Sequence, residues 1–136
     1  MENVLKERVY YADTDAYGVV WHGAYLRWFE KARISFCDDL NLNLVELKKA
    51  DIVLPVAEIN VKYKLPAKLN DEVTIKTKVE KLNQLYVTFS QRLYVDSKLY
   101  IEAEVKVVAV NNAGKLYRRI PEILYKKLAE SISEIK

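Results

Sequence analysis

Residues 10–28, YYADTDAYGVVWHGAYLRW, contain the side chains whose types and spacing are best suited to chemistry. The segment combines Asp13 and Asp15 with His22, the only histidine, and with two of the three glycines. A carboxylate placed beside donors that stabilise developing negative charge can act as a nucleophile or as a general base. The spacing therefore predicts a reactive turn with Asp15 as its candidate acid or base.

A long helix after this turn would supply the donors. Apolar residues recur every three or four positions, which predicts one buried helical face. The members of that face are Tyr25, Phe29, Ala32, Phe36 and Leu40, widened by Trp28 and Cys37. The first N–H groups of a helix lack internal partners and carry the positive end of its dipole. Gly18 permits a backbone geometry that other residues resist, and Gly23, near the helix start, is expected to leave room for a ligand.

Four later segments alternate apolar and polar residues with a period of two, which is typical of strands with one buried face. They cover residues 57–65, 73–82, 85–95 and 99–110. The breaks between them are short, so they are expected to pair in order as an antiparallel meander, preceded by a first strand over Leu5 to Tyr11. The sheet would pack around the long helix.

A second helix should start at Pro121, because proline is favoured at the first helical position. Its expected apolar face consists of Leu124, Leu128, Ile132 and Ile135.

Composition excludes several classes of protein. The 136 residues suit one domain, expected to span residues 1–136, and the net charge of +3 does not suit a dedicated nucleic-acid binder. Cys37 is the only cysteine and cannot form an internal disulfide. The first residues lack the apolar core of a signal peptide, and no apolar run approaches the ~18 residues of a membrane span. We therefore expect a cytoplasmic protein without a membrane span or a nucleic-acid partner.

The same residues also allow plainer interpretations. An aspartate before a helix is more often a cap or turn former than a catalyst. Glu30 and Arg33 are most simply an ion pair on the helix surface. The pattern DTD followed by His22 matches no strong metal-ligand spacing and lacks further ligands, so no metal is expected.

The run VYYADTDAYGVVWHGAYLRWFEKAR resembles the opening motif of the 4-hydroxybenzoyl-CoA thioesterase-like hotdog family. Within that family it is most similar to the acyl-CoA thioesterases associated with the Tol–Pal system. The resemblance continues through INVKYKLPAKLNDEVTIKT, FSQRLYV, EAEVKVVAV and YRRIP. It implies an α+β hotdog fold, in which a curved antiparallel sheet wraps around a long central helix, with a C-terminal helix. The implied reaction hydrolyses an acyl-CoA to free acid and CoA, with no cofactor beyond the CoA of the substrate.

The resemblance also implies roles for individual residues. Asp15 matches the catalytic carboxylate, which attacks the thioester carbonyl or activates water. His22 matches the histidine of the motif, and the backbone N–H groups of His22 and Gly23 would polarise the thioester oxygen. Tyr11 matches an aromatic residue that lines the site at the end of the first strand, whereas Asp13 matches a structural residue.

Binding of CoA needs cations near the mouth of the site. Arg118 matches a basic residue in the closing segment of the family, and Arg119 and Lys64 are further candidates. Acyl-carrier protein is an alternative carrier of the acyl group. Two other interpretations compete with the enzyme: an acyl-CoA-binding hotdog module without catalysis, and a hotdog dehydratase, whose acid–histidine pair is spaced differently.

The family joins the sheets of two subunits edge to edge, with the acyl pocket between them, and then pairs dimers. A homo-oligomer is therefore expected, at least a dimer and beyond that a tetramer. Apolar residues on the outward face of the sheet agree with coverage by another subunit. They are Tyr86, Tyr94, Tyr100, Val108 and Val110.

Overall fold

A computed structural model describes residues 1–133 of the chain. Within them, a five-stranded antiparallel sheet packs with three α-helices and one short 3-10 helix. The strands are β1 (Asn3–Arg8), β2 (Val56–Tyr63), β3 (Glu72–Leu82), β4 (Val87–Val95) and β5 (Lys98–Val107). The helices are α1 (His22–Asp39), α2 (Leu44–Lys49) and α3 (Glu122–Ser133), and the 3-10 helix is Tyr11–Asp13.

The buried face of α1 is the one that the apolar spacing predicts. Every member of that face is buried, and the ring of Phe36 meets the ring of Phe89 edge-on from the sheet. The inner positions of β3, β4 and β5 are buried opposite the helix. The helix packs mainly against β1 and β3, the two strands at one edge of the sheet.

The expected meander is wrong at β2. The strand order is β1-β3-β4-β5-β2, so β2 pairs with β5 and forms the edge opposite β1. The short link after β2 is no hairpin, because the N–H groups of Lys64 and Leu65 donate to the carbonyl of Tyr100 on β5. The chain then crosses the end of the sheet and returns as β3 beside β1.

Strand β2 also lacks the buried face that its alternation predicts. Nearly all of its residues are exposed, including Ile59 at 39% and Tyr63 at 45%. The reason is the position of α1, which packs against β1 and β3 at the other edge of the sheet. In a single chain, one edge strand is therefore left with both faces and one row of backbone groups open.

Several local features differ from the sequence-based expectations. β1 ends at Arg8 rather than Tyr11, because the chain turns into the 3-10 helix. Helix α2 was not expected, and it is capped by Asn43, whose side chain accepts hydrogen bonds from two backbone N–H groups. In α3, Leu124 and Leu128 are buried as expected and Ile132 is exposed, whereas residue 135 lies outside the described residues.

The outward tyrosines do not form a bare apolar stripe. A lysine ammonium lies over the ring of Tyr86, 4.1 Å from its centroid, and another lies 5.1 Å from the centroid of Tyr94. Tyr100 packs against the core. The outer face of the sheet thus presents lysine ammonium groups as well as aromatic rings.

Candidate active site

The predicted reactive turn is a tight loop between Thr14 and Val20, which pair as an antiparallel bridge. The N–H of Asp15 donates to the carbonyl of Val19 at 2.9 Å, and the N–H of Gly18 donates back to the carbonyl of Asp15 at 3.0 Å. Gly18 has φ +78°, which explains why glycine occupies the position. The loop therefore presents Asp15 at a fixed point immediately before α1.

Hydrogen bonds through Ala67, in the segment that crosses from β2 to β3, connect this loop to the start of α1. The carbonyl of Ala67 accepts from the N–H of Val20 at 2.9 Å. The N–H of Ala67 donates to the hydroxyl oxygen of Tyr25, also at 2.9 Å. Tyr25 belongs to the first turn of α1 and is buried, and burial raises the pKa of its phenol. The start of the helix, the crossing segment and the reactive loop thus form one hydrogen-bonded unit.

The carboxylate of Asp15 is exposed, and one of its two oxygens accepts a hydrogen bond within the chain. Its Oδ1 accepts from the N–H of Tyr17 at 2.8 Å, the contact of a turn-forming aspartate. Within residues 1–133, nothing donates a hydrogen bond to its other oxygen. Asp15 therefore shapes the turn and still has an oxygen available to a substrate or a water molecule.

Helix α1 begins at His22 with free donors. Trp21 occupies the N-cap position, and its side chain makes no capping hydrogen bond. In the part of the chain that the structure describes, no acceptor contacts the N–H of His22 or of Gly23. Two N–H groups at the positive end of the helix are thus open to a carbonyl oxygen.

Gly23 serves a different purpose from the expected one. A Cβ built on it would lie 2.1 Å from Cη2 of Trp21, so the indole ring fills the space that was expected for a ligand. The glycine permits Trp21 to fold back over the start of the helix. The ring remains 51% exposed and forms part of the cavity wall described next.

A cavity of about 260 Å³ lies between the reactive loop, the start of α1 and the end of β2. It brings together three of the residues singled out in the sequence: Asp15, His22 and Lys64. Tyr25 and Tyr63 complete the wall, with the rings of His22 and Tyr63 4.9 Å apart. Sequence reasoning missed both as site residues, because each was explained by the apolar pattern of its own element.

Lys64 has a competing partner. Its Nζ lies 3.3 Å from a carboxylate oxygen of Glu102, and both side chains are partly exposed. The ammonium is thus close to the cavity, but its charge is shared with a carboxylate. A phosphate that approached Lys64 would compete with Glu102.

The other predicted site residues lie elsewhere in the single chain. The side chain of Tyr11 is 81% exposed and does not line the cavity. Arg118 and Arg119 are exposed and precede Ile120, whose N–H donates to the carbonyl of Gln84 in the β3–β4 turn. That turn is at the far end of the strands from the cavity.

Asp13 is structural, as the resemblance implies. Its carboxylate is buried, lies 2.7 Å from the guanidinium of Arg27 and accepts from the N–H of Tyr10. The described residues include no group of three or more His, Cys, Asp or Glu side chains that could hold a metal ion. They also include no helix with the length and apolar character that crossing a membrane requires.

A second cavity, of about 360 Å³, lies farther along α1, between that helix, α2 and the start of β2. The expected surface ion pair between Glu30 and Arg33 is absent from the described residues. Instead the guanidinium of Arg33 turns inward and donates to Oε1 of Gln91 at 3.0 Å. A helix-surface pair was the wrong interpretation, because a polar side chain in the middle of β4 provides a buried acceptor.

Comparisons of sequence show the family of the chain. The family model described as the thioesterase-like superfamily matches residues 9–128. The chain is 34% identical over 116 residues to the acyl-CoA thioester hydrolase YbgC of Escherichia coli, covering 85% of this chain and 87% of the relative. It is 36% identical over 110 residues to the acyl-CoA thioesterase YbgC of Haemophilus influenzae, covering 80% of each.

Solved structures match the fold. The DHNA-CoA thioesterase of Staphylococcus aureus is similar with a TM-score of 0.87 and 26% identity, covering 98% of this chain and 90% of that one. A probable thioesterase from Bartonella henselae gives 0.84 and 30% identity, covering 89% and 100%. The expected α+β hotdog fold is thus confirmed. The chain belongs to the thioesterase-like superfamily and is an enzyme of the thioester hydrolase class.

Proposed function

We propose that this enzyme hydrolyses acyl-CoA thioesters, with Asp15 as its catalytic carboxylate. One observation carries the proposal: the Asp15 carboxylate, with one oxygen free of hydrogen bonds in the described residues, lines the same cavity as His22, where a helix with unpaired N–H groups begins. Thioester hydrolysis needs such a pair, because a nucleophile approaches the carbonyl carbon while negative charge develops on its oxygen. The YbgC relatives named as acyl-CoA thioester hydrolases support the substrate class.

In the proposed reaction the carbonyl carbon of the thioester is attacked by the Asp15 carboxylate, or by a water molecule whose proton passes to that carboxylate. The N–H groups of His22 and Gly23 donate to the carbonyl oxygen as it becomes negative. The C–S bond then breaks, and CoA leaves as a thiolate that takes up a proton. After direct attack, water hydrolyses the acyl–Asp15 anhydride in a second step, and both routes release the free acid. Neither route requires a metal or a resident cofactor.

A second copy of the chain is part of this proposal. Strand β2 leaves an edge and two faces open, and its Tyr63 end forms the wall of the cavity. If two β2 strands pair antiparallel about a twofold axis, the Val56 end of one strand lies beside the Tyr63 end of the other. The partner's second cavity would then adjoin the site, and the partner's Arg118 and Arg119 would lie closer to it.

The dimer has more structural support than the tetramer, because lysines cover the rings of Tyr86 and Tyr94 on the outer face of the sheet. We propose that CoA phosphates contact Lys64 of one subunit and the two arginines of the other. Tyr11, which is exposed in the single chain, would line the site only where a partner subunit covers its side chain. A cytoplasmic location agrees with the single buried, free thiol of Cys37.

The test is thiol release from acyl-CoAs of graded chain length, repeated with the same acyl groups on acyl-carrier protein. We expect turnover with CoA thioesters and a clear optimum of chain length. Tight binding of acyl-CoA without thiol release would support the non-catalytic binding module instead. Turnover with acyl-carrier protein alone would reassign the carrier and remove the role of the basic residues in CoA binding.

A further inference from the structure

The second cavity combines an apolar wall with a cation. Most of the lining is apolar, including Ile34, Leu44, Val53 and Phe89. The charged side chains on it are Glu30, Arg33 and Lys48, so its formal charge is positive. Its volume of about 360 Å³ falls within the range of small-molecule sites. Arg33 lies deepest of the three, since the other two side chains are exposed.

The guanidinium of Arg33 is held in a fixed position. Its acceptor, Oε1 of Gln91, belongs to an amide whose nitrogen donates to the carbonyl of Phe29 at 2.9 Å and to the hydroxyl of Thr77 at 3.0 Å. Gln91 is fully buried, so these two contacts fix which end of its amide faces Arg33. An arginine fixed in this way loses less conformational entropy when it binds a ligand.

The charge of Arg33 lacks a close counter-charge. In residues 1–133, no carboxylate oxygen lies within 4.0 Å of its guanidinium, and Glu30 acts on it only from a greater distance. Burial lowers the pKa of Arg33 from its usual value, while the negative charge of Glu30 opposes that shift. None of its nitrogens is both fully buried and unpartnered, and Arg33 lines the cavity. The five donors of a guanidinium match the two oxygens of a carboxylate.

We propose that the second cavity binds a carboxylate attached to an apolar chain and that Arg33 is the residue that recognises it. The carboxylate has two sources that share this chemistry. One source is an acyl group whose far end carries a free carboxylate. This case rests on the proposed function and on the partner subunit. The other is a free acid such as the reaction product, whose binding requires neither.

Free-acid binding is tested by titration calorimetry with hexanoate and with hexanol, which share a chain length and differ in charge. We expect the wild-type protein to bind hexanoate at least tenfold more tightly. Arg33→Met should abolish this difference, while Lys49→Met, which removes an exposed cation of α2 outside the cavity, should preserve it. Equal affinity for the two compounds in the wild-type protein would overturn the proposal.

A readout on the wild-type protein covers the case in which Arg33→Met does not fold. The side-chain amide resonances of Gln91 should shift on addition of hexanoate and not of hexanol. If hexanoate binds without moving those resonances, it binds elsewhere and the proposal is wrong.

A kinetic comparison distinguishes the two sources of the carboxylate. If the acyl end group is recognised, adipyl-CoA should have a kcat/KM at least tenfold above that of hexanoyl-CoA, and Arg33→Met should reverse the preference. If only the free acid is recognised, the two thioesters should react alike while hexanoate still binds. Hydrolysis of both thioesters with no binding of hexanoate and no preference for adipyl-CoA would refute the cavity proposal and leave the thioesterase intact. If the protein hydrolyses neither thioester but still binds hexanoate, the proposed function is refuted and the cavity proposal stands.

Discussion

The two cavities along α1 differ in the source of their polar groups. At the start of the helix, the cavity is lined by an exposed carboxylate and by His22, the first residue of α1, whose backbone N–H has no partner among the described residues. Farther along, the cavity is apolar except for a few charged side chains, and its arginine is fixed by a buried glutamine. The first arrangement suits bond breaking, whereas the second suits recognition. One helix can thus support chemistry at its start and binding specificity farther along.

The separation of the cavities shows what a single chain lacks. His22 and Arg33 are eleven positions apart, so about 16 Å of helix lies between them at 1.5 Å per residue. Strand β2 reaches both cavities, with Tyr63 in the wall of one and Val56 in the wall of the other. One small acyl group cannot occupy both within one chain. Antiparallel pairing of two β2 edges would bring the unlike cavities of two subunits together.

The largest effect is expected from Asp15→Asn, which retains the turn-forming oxygen and removes the charge. We expect kcat/KM to fall by about two to four orders of magnitude, the usual cost of losing a group that acts in the transition state. The melting temperature should hardly change. The control is Asp38→Asn, which makes the same change at an exposed position of α1 and should retain full activity. Near wild-type turnover by Asp15→Asn would show that Asp15 is not the catalytic carboxylate.

The second largest effect is expected at the open edge of the sheet. Ile59→Lys places a charge in the proposed subunit interface, where a buried unpaired charge is costly. Light scattering should then give the mass of one chain, and activity should fall at least tenfold because the site is incomplete. Val4→Lys is the matched control, since Val4 is an exposed apolar residue on β1, the opposite edge. A wild-type protein that is monomeric and fully active would refute the shared site.

A smaller effect is expected from Tyr25→Phe, which removes the hydrogen bond to the N–H of Ala67. Its loss leaves the buried N–H of Ala67 without a partner, which costs about 1–3 kcal/mol of stability, and loosens the unit that holds the Asp15 loop. We expect kcat to fall several-fold with little change in KM. Tyr117→Phe also removes a hydrogen bond of a tyrosine hydroxyl, which donates to the carbonyl of Asp51 at an exposed position outside the site, and should leave kcat unchanged. Equal activity of the two variants would mean that Tyr25 is only structural.

The smallest effect is expected from thiol reagents. Cys37 lies in the wall of the second cavity, and burial raises its pKa to about 11. Because pH 8 lies about three units below this pKa, only about one thiol in a thousand is ionised at pH 8. Iodoacetamide should therefore modify the folded protein far more slowly than the unfolded chain, with no loss of activity during the same interval. Rapid modification would show that the second cavity opens more widely than this structure indicates.

The parts of the molecule that the sequence predicts well are the local ones. The buried face of α1 and the placement of Asp15 before the helix and of His22 at its first position follow from neighbours fewer than ten residues apart. The parts that it did not predict depend on distant partners. Nothing in the alternation of β2 distinguishes β3 from β5 as its neighbour, and nothing around Arg33 indicates Gln91, 58 positions later. Long-range hydrogen bonds have no signature in local periodicity.

The indole that rests on Gly23 gives this protein a built-in optical probe. The chain has two tryptophans, of which Trp28 is buried at 3% exposure and Trp21 is half exposed on the cavity wall. A collisional quencher such as acrylamide should therefore reach one of the two fluorophores easily and the other hardly at all. Occupation of the first cavity would shield Trp21 and shift its emission to shorter wavelength. Ligand binding at the reactive loop can thus be followed without a label and without turnover.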